Sequence, residues 1–328
     1  MTAPATPLAA SVESSNRQRV RRLAWVTLGV VVVTIVMGAV VRATHSGDGC
    51  GRSWPACDGT LVLPGTGDTA QLIEFSHRAI SGGSLLMMAA LAVAVFRTFA
   101  APHPARRATL WSVALLIAEA LIGAMIVLYG WVADDRSVAR QVSVPLHLVN
   151  TFLLTGSMAL TIWLISGREM PQPHAHPALT RRLSALAAVL LIIAATGATT
   201  SLADTLFAAE SLAEGLRQDF AAESEFIVRL RVLHPVLAIT GGLLLAWFAR
   251  SQLDEAERRG IPWPAWILML GVAGQAALGF IHIALLTPLA TALLHLTIAQ
   301  VLWLALVFLA LTLLEPQVGV ESSREVAR

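Results

Sequence analysis

Glu74 and His77 stand three residues apart in the run Glu74-Phe75-Ser76-His77-Arg78, at the mouth of a long apolar stretch. At that spacing a carboxylate and an imidazole share one face of a helical turn. Ionisable side chains are costly inside a bilayer, so such a pair is read first as functional. Three more histidines, His147, His234 and His295, occupy matching places in later apolar stretches. Two histidines on different helices at equal depth can approach a flat macrocycle from opposite faces, as bis-histidine haem ligation requires. The duplicated pattern predicts two such sites, His77 with His147 and His234 with His295, each ligating one haem iron.

Other chemistries compete for the same residues. A proton relay in a transporter would recruit Glu74, Glu119 and His282, but a relay needs groups at successive depths, and the four repeated histidines lie at one level. Zinc would want a tighter cluster of ligands. His282 has no counterpart in the first half of the chain, where Ile126 stands, and reads as a packing or hydrogen-bonding histidine. His45, His103, His174 and His176 fall in connecting segments.

The elements that position these groups are membrane helices. The chain of 328 residues is 56% apolar and 13% charged, and its mean hydropathy is +0.69, outside the range of an ordinary water-soluble domain. Eight stretches are long enough to cross a hydrocarbon core: roughly 23–42, 73–96, 108–130, 142–165, 183–203, 229–249, 263–286 and 289–314. Arginine supplies all 23 basic residues and concentrates at the termini and in alternate loops, while acids dominate the other side. The positive-inside rule then places both termini in the cytoplasm, in a multi-pass protein of the cytoplasmic (inner) membrane. Residues 1–20 read as a disordered tail, with no cleavable signal peptide before the first span. No basic groove with interleaved aromatics is present, which argues against nucleic acid as a partner.

The eight segments divide into two sets of four in weak register. Glu119-Ala-Leu-Ile-Gly123 answers Gln275-Ala-Ala-Leu-Gly279, Gly38-Ala39 answers Gly197-Ala198, and His147-Leu148 answers His295-Leu296. The expected architecture is all-helical: two pseudo-symmetric four-helix bundles, 23–165 and 183–314, a linker at 166–182, and tails at 1–22 and 315–328. Cys50 and Cys57 share the first outer loop, on the oxidising side, where a disulfide is expected. It reads either as a staple or as a redox pair. Residues 204–228 predict a short amphipathic helix on the outer surface. Arg42, Arg78, Arg229 and Arg231 lie near the histidine level, placed either to pair with haem propionates or to snorkel to the interface.

Taken together, Gly49-Cys50, Trp54-Pro55-Ala56-Cys57, the Glu74-to-Arg78 run and histidines opening the fourth, sixth and eighth segments resemble the haem A synthase family over roughly 23–314. The resemblance implies an enzyme that oxidises the C8 methyl of haem O to a formyl group by successive hydroxylations, giving haem A for cytochrome oxidase. It implies haem b held by His234 and His295, with Arg229 and Arg231 nearby. The substrate haem O would be held by His77 and His147, with Arg42 and Arg78. Glu74 matches the family's essential carboxylate, and Cys50 and Cys57 its reactive outer pair. Haem O synthase and cytochrome oxidase assembly factors are the implied partners. The chain departs from some members in lacking cysteines in the third outer loop. A non-catalytic dihaem electron-transfer or haem-transfer protein is the competing reading.

Overall fold

The computed structural model describes residues 7–62, 65 and 68–317, with side chains from residue 15 onward. Among these residues the chain is helical, with eight helices long and apolar enough to cross a membrane. In chain order they are α1 (Pro7–Ala43), α2 (Thr69–Thr98), α3 (Pro104–Leu128), α4 (Val138–Ile165), α5 (Pro177–Leu206), a sixth span in two pieces, α10 (Trp263–Ala284) and α11 (Leu289–Leu314). The sixth span comprises α7 (Phe226–Arg229), a 3-10 turn (Leu230–Val232) and α8 (Leu233–Ser251). Short helices α6 (Leu212–Phe220) and α9 (Leu253–Arg258) lie in the connections.

Local chemistry sets the boundaries. Asp68 caps α2 by accepting the Ala70 N–H at 2.9 Å, and Ser137 accepts from Arg140 at the start of α4. Pro104 and Pro177 open α3 and α5, where a missing N–H costs nothing. Pro235 explains the break in the sixth span. Its ring crowds the carbonyl four residues earlier, at Arg231, and the turn there tightens to 3-10.

One expectation needs correction. The sequence of residues 1–20 predicts a disordered tail, yet α1 is helical from Pro7, and Arg17, Arg19, Arg21 and Arg22 ride on it. Apolar length sets the membrane span, but it does not set where the helix that contains the span begins. Residues 1–6 and 318–328, within the expected tails, lie outside the described residues.

Helices α1, α2, α3 and α4 pack in a closed ring, and α5, α8, α10 and α11 repeat the same cyclic order. The rings meet along α4, α11, α5 and α1, and α4 and α11 are the most buried spans. At the seam Trp303 of α11 donates its indole N–H to the Phe152 carbonyl at 2.6 Å. Its ring lies against Gly156, where a Cβ would come within 3.2 Å. The two large apolar clusters gather at the ends of the spans away from the histidines, as in Met88, Leu91 and Val95 of α2 and Leu306, Leu309 and Leu313 of α11. Tight packing therefore anchors one end of each ring and leaves the other end to the histidines.

Candidate functional site

Each of the four repeated histidines comes from the start of its span, and each ring lies against a glycine of the preceding span. A Cβ added to Gly38 would sit 3.1 Å from the Cε1 of His77; at Gly123 it would sit 3.7 Å from His147. Gly197 and Gly279 would place it 2.9 Å from His234 and 3.4 Å from His295. Removing the side chain on the neighbouring helix opens the slot in which an imidazole lies between two backbones. The repeat seen in sequence is thus a repeated ring-on-glycine contact.

The His234 and His295 ring centres are 6.3 Å apart, with planes at 74°. Two imidazoles sharing one metal, each nitrogen about 2 Å from it, have centres roughly 6 Å apart. The Nδ1 atoms of His77, His147 and His295 are buried, and among the described residues none has a hydrogen-bond partner. Paired rings in glycine slots fit a haem held from both faces. Among the described residues no group of three or more His, Cys, Asp or Glu side chains is arranged to hold a metal ion by itself.

Glu74 is 2% exposed and does not stand free. Its Oε2 accepts the Cys50 N–H at 2.7 Å and its Oε1 accepts Arg78 at 2.5 Å. Arg78 also donates to the Ser53 and Ala56 carbonyls, both at 2.6 Å, and Gln71 donates to Asp58 at 2.7 Å. Gln71, Glu74 and Arg78 follow the i, i+3, i+7 spacing of one helix face, so α2 clasps the first loop along a stripe. Gly49 permits this, because a Cβ there would come within 2.5 Å of the Ala70 backbone. Inside the clasped loop Cys50 and Cys57 form a disulfide, both residues essentially buried.

Three of the four arginines expected near haem propionates have acceptors within the protein. Arg42 donates to the carbonyl and hydroxyl of Ser201 and to Thr205 on α5, at 2.6–2.8 Å. Arg78 holds the first loop. Arg231, at the register of Glu74 in the second half, is 8% exposed and binds Asp204 at 3.1 Å, Asp219 at 2.8 Å and Gln218 at 3.0 Å. Propionate pairing by these three would compete with those bonds, while Arg229 is exposed.

Two features went unrecognised in the sequence. His282 bonds Thr291 at 2.7 Å, as a hydrogen-bonding histidine would, but it also stacks on His295 with centres 6.4 Å apart. Its lack of a counterpart in the first half hid that placement. Glu119 lies beside His147, with its Oε1 3.3 Å from Nδ1; its register opposite Gln275 was the available signal.

Comparison with known proteins bears on the same residues. A family model described as "Cytochrome oxidase assembly protein" matches residues 21–307. A Thermus thermophilus protein named "Protoheme IX farnesyltransferase" is 38% identical over 90% of this chain, which spans 49% of that relative's length. A "Heme A synthase" of Exiguobacterium sp. is 28% identical over 77% of this chain and 80% of its own. One of Staphylococcus haemolyticus is 39% identical over 33% of this chain and 36% of its own.

Proposed function

Since the chain belongs to the cytochrome oxidase assembly protein family, we propose that it is a haem A synthase, which oxidises the C8 methyl of haem O to a formyl group by successive hydroxylations. The observation that carries this reading is the asymmetry between two otherwise matched histidine pairs. Both halves present paired imidazoles over glycine, but the residue three before the first histidine is Glu74 in one half and Arg231 in the other. A guanidinium cannot serve as a base, so the carboxylate marks the N-terminal half as reactive.

In this reading His234 and His295 hold a resident haem b, and His77 and His147 hold the substrate haem O. When bound, haem b supplies one-electron redox chemistry. Glu74 then acts at the ring edge. Each hydroxylation replaces a methyl hydrogen with the oxygen of water and releases two protons and two electrons, the electrons passing to an external electron acceptor. As an anion Glu74 stabilises the positive charge developing on the methyl carbon, and on release from Arg78 it accepts the proton from the attacking water. Arg78 and the Cys50 N–H hold the carboxylate in place until then. Cys50 and Cys57 sit within one hydrogen bond of it, which suits a redox pair coupled to the reaction. Arginine asymmetry puts the histidine end on the outer face of the cytoplasmic membrane, with both termini inside.

The reading extends to partners. Haem O is a farnesylated protohaem, so an enzyme of the kind named for the Thermus relatives would supply the substrate. Those relatives are about twice the length matched here, room enough for both activities in one chain.

The test is co-expression with a haem O synthase, haem extraction and chromatography. A new haem A peak, abolished in Glu74→Ala while bound haem persists, is the expected result. Haem b without haem A would identify a non-catalytic haem carrier instead.

A further inference from the structure

The two halves also differ along the helix pair that carries His147 in one and His295 in the other. On α3, Glu119 accepts the Asn150 side-chain N–H at 2.6 Å and the Thr151 hydroxyl at 2.5 Å. Its Oε1 also lies 3.3 Å from His147 Nδ1, off the ring N–H direction, and among the described residues no hydrogen bond reaches that nitrogen. The second half has lost every part of this arrangement. Gln275 replaces Glu119, and Ile298 and Ala299 replace Asn150 and Thr151. Gln275 donates to the His295 carbonyl at 3.0 Å, and among the described residues the His295 Nδ1 has no hydrogen-bond partner.

A carboxylate on the second nitrogen of a ligating histidine fixes its tautomer and its rotation, and makes the ring a stronger donor. An iron with the stronger donor favours its ferric state, because second-shell hydrogen bonds are among the levers that set haem potentials. Asn150 and Thr151 each donate to one oxygen of Glu119, which fixes the carboxylate beside the imidazole and leaves Oε1 a lone pair to offer it. Internal duplication supplies the control, since the second half keeps the histidine and omits the carboxylate.

Resting on the haem assignment above, we propose that Glu119 is a positioning residue for His147 that sets the iron of the N-terminal half at a lower midpoint potential than that of the C-terminal half. Turning the ring slightly makes the 3.3 Å contact a hydrogen bond with Nδ1–H donating. That leaves Nε2 for the metal.

The experiment is an optical redox titration of purified protein co-expressed with a haem O synthase, comparing wild type, Glu119→Gln and Glu119→Asp. The N-terminal step is first identified by its absence in His147→Ala. Glu119→Gln should shift that step upward by at least tenfold in the ferrous-to-ferric ratio at fixed potential, 59 mV for a one-electron couple. The C-terminal step should stay in place, reporting an intact fold, and Glu119→Asp should keep the wild-type value. An unmoved N-terminal step in Glu119→Gln, or an equal shift in Glu119→Asp, would overturn the proposal while leaving the haem assignment standing. If His147→Ala removes no step, the haem assignment falls and this inference goes with it.

Discussion

Ring-on-glycine contacts make the site sensitive to single methyl groups. A Cβ at position 197 would lie 2.9 Å from the His234 ring, closer than side chains tolerate, whereas at 123 it would be an ordinary 3.7 Å neighbour of His147. Gly197→Ala should therefore lower the haem retained per protein several-fold, and Gly123→Ala should leave it near wild type, as read by pyridine haemochrome absorbance. Equal losses in both would mean that ring placement is not what the glycines provide. Glu74→Gln tests a separate point, since it keeps the shape but gives up the charge opposite Arg78; haem A yield should collapse while haem content holds. The histidines and Glu74 were legible in the sequence because ionisable groups stand out in apolar helices. Glu119 was visible as an anomaly, but its partner was not. Which helix face turns toward which neighbour is weakly encoded when nearly every position is apolar.

At the scale of elements, matching registers hold down the caps of the two halves with opposite charges. Glu74 accepts from the first loop, and Arg231 donates to α6 and to the end of α5. Arg231→Leu leaves Asp204 and Asp219 without their cation, a loss of the kind that costs about 3 kcal/mol when a buried pair is broken. Amide exchange across 207–225 should rise in that variant and stay unchanged in α3; protection retained in α6 would refute the clasp. Gly49→Ala makes the matching test at the other cap. Its Cβ would run into the α2 backbone, displace the Cys50 N–H from Glu74, and lower haem A yield with the Glu74 carboxylate itself unchanged. The short helix between 204 and 228 was readable from its apolar spacing, and its Leu212, Leu216 and Phe220 stripe is exposed, as suits a helix lying at the lipid interface. That Arg231 would fasten it was not readable, because the partners come from two other elements, α5 and α6.

Across the whole molecule, the two rings of four helices were foreshadowed by the paired motifs, while the seam between them was not. Nothing in the spacing of α4 or α11 marks them as central, and Trp303 reads as one apolar residue among many. Trp303→Ala removes a hydrogen bond and a large buried ring, and such truncations cost about 3–5 kcal/mol. Its effect should appear as a lower melting temperature together with haem loss from both halves; loss from one half would show that the seam is not shared. His147 and His295 ride on the two helices that this seam joins. In the proposed reading a porphyrin held by either histidine would bear on the helix that carries it, and the Trp303 hydrogen bond and ring contact would couple that helix to its neighbour. The second macrocycle then meets a partner already aligned, so haem titrated into the emptied protein should bind with a Hill slope above one.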